Sequence, residues 1–312
     1  MYIVDSHCDS IQQVDIRRHG IVNPYNYSNK HQQLQFVAAF CSWPGDDAEK
    51  CFRRAVRYIG HFKLRMEIEK DKVEQVYTYA DIERAFGAGK HAALLTIEGG
   101  TGIVGSTQVF RDFYAAGVRV FGMTWLCNDL CASPRRDNGE DDYGLTDLGR
   151  EIIEVGNELG MIFDVSHMSD KSFWDVAGIA TKPFIASHSN SSMLYNHPRN
   201  LTDTQLRTII SAGGIVGVSF VGKHLSALLT NSVANENKVY ETICSHIEHF
   251  LEIDERSVCI GSDFDGTEHL WGLENVAQTE NLYKALVNRI SSEQTADNVF
   301  YNNAYNFFVN NI

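Results

Sequence analysis

Proline is scarce, five residues in 312, and no Ser/Gly linker or low-complexity tract interrupts the chain, so no domain boundary shows and the reading is one domain over residues 1–312. Basic charge is also short. Lys and Arg number 27 against 40 Asp and Glu, a formal charge of −13 that repels phosphate backbones and anionic lipid and excludes nucleic acid as a partner. The seven cysteines are an odd, scattered set without C-x-x-C, which argues against a disulfide framework or a zinc knuckle and for a reducing compartment. No window holds 18 uninterrupted apolar residues, and the first residues lack a basic n-region. The expectation is a cytoplasmic protein without a membrane partner.

What is present is apolar material in short runs. With 44% hydrophobic residues, a chain this long buries roughly three quarters of its unfolded surface. Eight near-continuous apolar runs, at 2–5, 36–41, 92–97, 118–124, 161–165, 184–187, 215–220 and 258–262, read as parallel strands covered on both faces. Segments of helical period lie between them, at 81–86, 109–116, 145–159, 204–212 and 239–251, each bounded by stop or cap signals. Residues 282–309 read as a helical tail, and the longest insertion, between Trp43 and His91, holds a helix over 47–67. Eight strands alternating with helices predict an α/β fold, a (β/α)8 TIM-like barrel with an insertion after strand two and a helical C-terminal tail.

The residues with metal-ligand chemistry fall at the C-terminal ends of those strands, the face where barrel enzymes place their sites. Strand one runs into His7-Cys8-Asp9, strand three ends in Glu98, strand five in Ser166-His167, strand six in Ser187-His188 and strand eight in Asp263. Singly, each has an ordinary explanation: a hydrogen-bonded turn, a helix cap, a fragment of a calcium loop at Asp263-Phe264-Asp265-Gly266. Together, three histidines and three carboxylates at one rim would desolvate much charge in one spot, and two bridged divalent cations compensate it. His246 and His249 share a helical face that reads as solvated.

Two competing motifs carry less. Gly100-Thr101-Gly102-Ile103-Val104-Gly105 matches G-x-G-x-x-G after a strand, but 115–126 holds no acidic residue for a ribose, so it reads as a tight turn after Glu98. Cys8, Cys127, Ser166 and Ser187 lie near the mouth without a nucleophile elbow or a free base.

The series Asp5-Ser6-His7-Cys8-Asp9, Thr96-Ile97-Glu98-Gly99, Phe163-Asp164-Val165-Ser166-His167, Ser187-His188-Ser189-Asn190, His197-Pro198-Arg199-Asn200 and Gly261-Ser262-Asp263-Phe264-Asp265-Gly266 resembles the renal, or membrane, dipeptidases, binuclear zinc hydrolases on a barrel, in their bacterial form. The resemblance implies two zinc ions, one on His7 and Asp9 and the other on His167 and His188, bridged by Glu98. It implies attack by a metal-bridging hydroxide, a proton handled by Asp263, and a dipeptide carboxylate held by Arg199. It extends to a homodimer, to tolerance of a C-terminal D-residue, and to substrate contacts from the segment 123–128, including Trp125 and Asn128. Trp125 departs from the family, whose mammalian members carry histidine there; an indole N–H donates one hydrogen bond and carries no proton. Two alternatives follow: a binuclear amidohydrolase acting on a non-peptide amide or ester, and a metal-binding protein without activity.

Overall fold

The computed structural model describes residues 2–14, 31–134, 141–230 and 235–312. Its strands are β1 (Ile3–Cys8), β2 (Gln33–Phe40), β3 (Val73–Gln75), β4 (His91–Glu98), β5 (Val118–Gly122), β6 (Ile162–Asp164), β7 (Val216–Val218) and β8 (Val258–Ile260). Every pairing between them is parallel, in the order β6-β5-β4-β2-β1-β8-β7. The predicted strand at 184–187 is present as two parallel bridges, Asp164 to Ile185 and Ala186 to Val216, and it closes the ring between β6 and β7. The result is an eight-stave parallel barrel. The sequence reading omits β3, three residues that pair with the start of β4 beside the ring.

The helices are α1 (Ala48–Ile68), α2 (Tyr79–Gly87), α3 (Thr107–Ala115), α4 (Asp147–Leu159), α5 (Asp170–Ile179), α6 (Asp203–Ser211), α7 (Gly222–Leu225), α8 (Glu236–Leu251), α9 (Thr279–Ile290), α10 (Glu293–Asp297) and α11 (Asn303–Asn311). Side chains start several of them. The Asp47 carboxylate accepts from the Lys50 N–H, the Thr146 hydroxyl from Gly149, and Thr202 forms a reciprocal box with Gln205. Gly160, in left-handed backbone, ends α4. The tail is helical as expected, with a single π turn, Asn298–Asn302, between α10 and α11. The helix α5, capped by Ser169, has no counterpart in the sequence reading.

Strand parity divides the core. Val4, Leu34, Phe36, Leu94, Val120, Ile162, Ile185 and Cys259 fill the barrel floor, closed below by α11, whose Phe308 ring lies 4.2 Å from that of Phe36. The opposite parity, including Ile3, Val37, Leu95, Phe163, Val216 and Val258, packs outward against the helices. In β1 the register shifts between Asp5 and Cys8. Val4 belongs to the inner set and Cys8 to the outer one, so this shift turns His7 and Asp9 toward the mouth.

Above the floor the barrel is narrow and polar. The Ser187 carbonyl accepts the Ser6 hydroxyl at 2.6 Å, and a Cβ at Gly217 or Gly261 would stand 2.0 or 1.8 Å from that same oxygen. Glycine at both positions lets the 184–187 stave come this close.

Candidate metal centre

Five strand ends deliver the site. His7, Asp9, Glu98 and His188 are all at most 5% exposed, and the Glu98 carboxylate lies between two sets of donors. Its Oε2 is 3.6 Å from His7 Nε2, which is 3.6 Å from Asp9 Oδ2. Its Oε1 is 2.8 Å from His167 Nε2 and 3.8 Å from His188 Nε2. Within each of the groups His7–Asp9–Glu98 and Glu98–His167–His188, candidate ligand atoms all lie within 4.8 Å of one another. Asp263 joins the rim with Oδ1 3.9 Å from His7 Nε2. It reaches inward because Asp263 and Asp265 both take left-handed backbone, with φ of 61° and 67°.

The histidines are oriented from below by a residue not assigned a role from sequence. Asp164, on β6, accepts from the Ser166 N–H at 3.0 Å and hydroxyl at 2.6 Å, and from the Ser187 N–H at 2.9 Å and hydroxyl. Four donors occupy its lone pairs, so its nearness to His7 and His188 is that of a support. With its hydrogen given to Asp164, the Ser187 hydroxyl accepts from His188 Nδ1 at 2.8 Å, and that tautomer leaves Nε2 with its lone pair facing the centre. The signal for Asp164 in the sequence is its parity with Ile162, which places both inside the ring.

Charge explains why these groups want a cation. Burial opposes a charge on His7, but the carboxylates of Glu98 and Asp9 outweigh it and hold the imidazole well above its ordinary range. Burial, reinforced by His7, His167 and Arg199, holds His188 well below it. Burial raises Asp263 well above the usual carboxylate range, and Asp9 and Glu98 add to the rise. His7 Nε2 is buried without a hydrogen-bond partner among the described residues, surrounded by three carboxylates. This donor set, imidazole nitrogens and carboxylate oxygens around a bridging Glu, fits a pair of divalent cations.

Arg199 is drawn to the same centre, its Nη2 3.2 Å from His188 Nε2, and burial lowers its guanidinium to about 10. Its Nε has no hydrogen-bond partner among the described residues. Trp125 stands over His167 at 6.2 Å between ring centroids and packs edge-on against Phe40, which in turn meets the half-exposed Trp43. Asn128 is placed otherwise. Its amide donates to the Met123 carbonyl and accepts from the Leu130 and Cys131 N–H groups, so its polar atoms hold the loop that carries Trp125. The glycine-rich segment after Glu98 forms the short 3₁₀ turn Gly100–Ile103, as the turn reading expects. His246 corrects the sequence reading: far from solvated, it is 1% exposed, accepting from the Ser191 N–H and facing the Leu225 carbonyl, each at 3.1 Å. His249 likewise meets Asp203, at 2.9 Å.

A closed parallel barrel with histidines and carboxylates converging at its C-terminal mouth defines the class: a TIM-barrel protein with a candidate metal centre. The chain belongs to the membrane dipeptidases, peptidase family M19, whose family model matches residues 1–309. An uncharacterised protein of the pqqA 5′ region from Klebsiella pneumoniae is 42% identical over 192 residues, 60% of this chain and 70% of its own length. The dipeptidases verJ of Clonostachys rogersoniana and tcpJ of Claviceps purpurea are 29% and 30% identical, over 87% and 75% of this chain and 66% and 54% of theirs. The chain thus spans only about half to two thirds of those two dipeptidases. Among solved structures, a metallopeptidase from Rhodobacter sphaeroides, liganded with a phosphinate mimic of L-Ala-D-Ala, superposes with a TM-score of 0.90 at 22% identity, over 100% of this chain and 99% of its own. This likeness establishes the barrel. No helix among the described residues is long and apolar enough to cross a membrane.

Proposed function

We propose that the protein is a zinc-dependent dipeptidase that hydrolyses small dipeptides, including those with a C-terminal D-residue. The observation that carries this reading is the Glu98 carboxylate, with one oxygen toward His7 and the other toward His167 and His188. His7 and Asp9 would hold one cation and His167 and His188 the other, with Glu98 shared. Bound divalent cations polarise a scissile carbonyl and acidify water.

The chain's own groups do the rest. Asp263, its carboxyl pushed up by burial, takes the proton of the attacking water and delivers it to the leaving amine. Arg199, its Nε unpartnered among the described residues, pairs its planar fork with the free α-carboxylate and so favours a two-residue substrate. Trp125 forms a wall beside His167, and Asn128 holds the loop that presents it. The likeness to dipeptidases over most of the chain and the phosphinate bound by the Rhodobacter sphaeroides protein support a dipeptide over another amide.

Trp125 favours one second reading, a metal-binding protein without turnover, because an indole cannot carry a proton. Hydrolysis of L,L- and L,D-dipeptides with and without a chelator separates the two. Turnover abolished by chelation and restored by zinc is expected; a metal-loaded protein inert on the whole panel overturns the proposal.

A further inference from the structure

The loop after β7 carries a cation that the reaction above does not use. Lys223, in α7, is exposed and has no carboxylate partner among the described residues. Its place is fixed by bonds to the loop that bears Arg199. Asn200 Nδ2 donates to the His224 carbonyl at 2.7 Å and to the Tyr195 carbonyl at 2.8 Å. The rings of His197 and His224 pack 4.6 Å apart, and His197 Nδ1 accepts the Arg199 N–H at 3.2 Å. From behind, His246 joins Ser191 to Leu225. Arg199 and Lys223 each adjoin a residue of this junction, and both cations act on the rings of His197 and His224.

The rings between them add no charge. Burial, then Arg199, lowers both His197 and His224, and Lys223 contributes to each. Lys223 also lines a cavity of about 760 Å³ that is bounded by Val221, Leu229 and the loop 265–271. That cavity reaches Gly266, where a Cβ would touch Asp9 and Asp263, so it borders the reacting centre. Its two acids leave the lysine free: Asp265 accepts the Ser10 hydroxyl at 2.6 Å, and Glu268 is exposed and makes no ion pair with Lys223.

If Arg199 takes the α-carboxylate of the C-terminal residue, a second carboxylate on that residue would find its counter-charge in Lys223, across the junction that joins the two loops. We infer that Lys223 is a specificity-determining residue that selects dipeptides ending in aspartate or glutamate. This rests on the dipeptidase reading and narrows it. Ala-Glu and Ala-Gln have nearly the same shape and differ by one charge, so their ratio of kcat/KM isolates the contact.

The test compares Ala-Glu, Ala-Gln and Ala-Ala on the zinc-loaded full chain and on Lys223→Met, with zinc content and thermal unfolding measured on both proteins. The expected result is a preference for Ala-Glu over Ala-Gln of about tenfold or more, expressed in KM, reduced by 0.5 M salt and falling to near unity in Lys223→Met. Turnover of Ala-Ala with an Ala-Glu to Ala-Gln ratio within twofold overturns the inference and leaves the dipeptidase reading standing. The same holds if the ratio survives in the variant. Absence of turnover on all three overturns both.

Discussion

At the residue scale, Asp263 and Gly266 make the sharpest predictions. Asp263→Asn keeps the shape and removes the titrating oxygen, so metal content should hold while kcat falls by about 10²–10⁴; elemental analysis beside a rate measurement checks this, and retained activity removes Asp263 from proton transfer. Gly266→Ala is a steric test of the same loop. Its Cβ would stand 2.0 Å from Asp9 Oδ2 and 2.3 Å from Asp263 Oδ1, while Gly266 itself is exposed. The variant should fold, yet lose zinc affinity and activity together; isothermal titration with zinc and circular dichroism report the two separately. Among site residues, His7, Asp9, Glu98, His167, His188 and Asp263 were legible as strand-end polar groups and Arg199 only through the family resemblance, and the structure brings them together. Asp164 was not. Its carboxylate serves the backbone and hydroxyls of Ser166 and Ser187, a role that only the closed ring reveals.

At the scale of elements, the eight apolar runs were readable because parallel strands are covered on both faces. The omissions were elements with little pattern of their own: β3 is three residues long, and α5 covers one turn fewer than α4 and exposes Trp174. The 184–187 stave pairs through only two bridges, and its close approach depends on the glycines opposite. Gly217→Ala forces a methyl against the Ser187 carbonyl and should cost about 3 kcal/mol or more, read as a lowered urea midpoint; an unchanged midpoint would refute this account of closure.

His246 shows why helical periodicity alone misplaced a side chain. It lies on α8, but the loops after the 184–187 stave and after β7 fold over that face and bury it. Burial lowers its pKa from 6.5, so the folded state prefers the neutral ring. The contribution is present above the unfolded value and is lost as pH falls below about 6.5. The stability gap between the wild type and His246→Asn should therefore narrow from pH 7.5 to pH 5 in urea denaturation; a constant or widening gap contradicts the assignment.

At the scale of the whole molecule, the barrel gathers at its mouth groups that sequence keeps hundreds of residues apart, from His7 to Asp263. Without cations the buried carboxylates of Asp9, Glu98 and Asp263 repel one another and His7 and His167 disfavour a charge on His188, so metal should stabilise the fold as well as the reaction. Chelation should lower the thermal midpoint, and Glu98→Gln should blunt that response because the shared ligand is lost. The most direct measurement is zinc stoichiometry, taken by calorimetric titration of the metal-free full chain. Two equivalents per chain are predicted for the wild type, with His188→Ala and His7→Ala each retaining one at most; a wild-type protein that binds one equivalent or none would contradict the bridged centre.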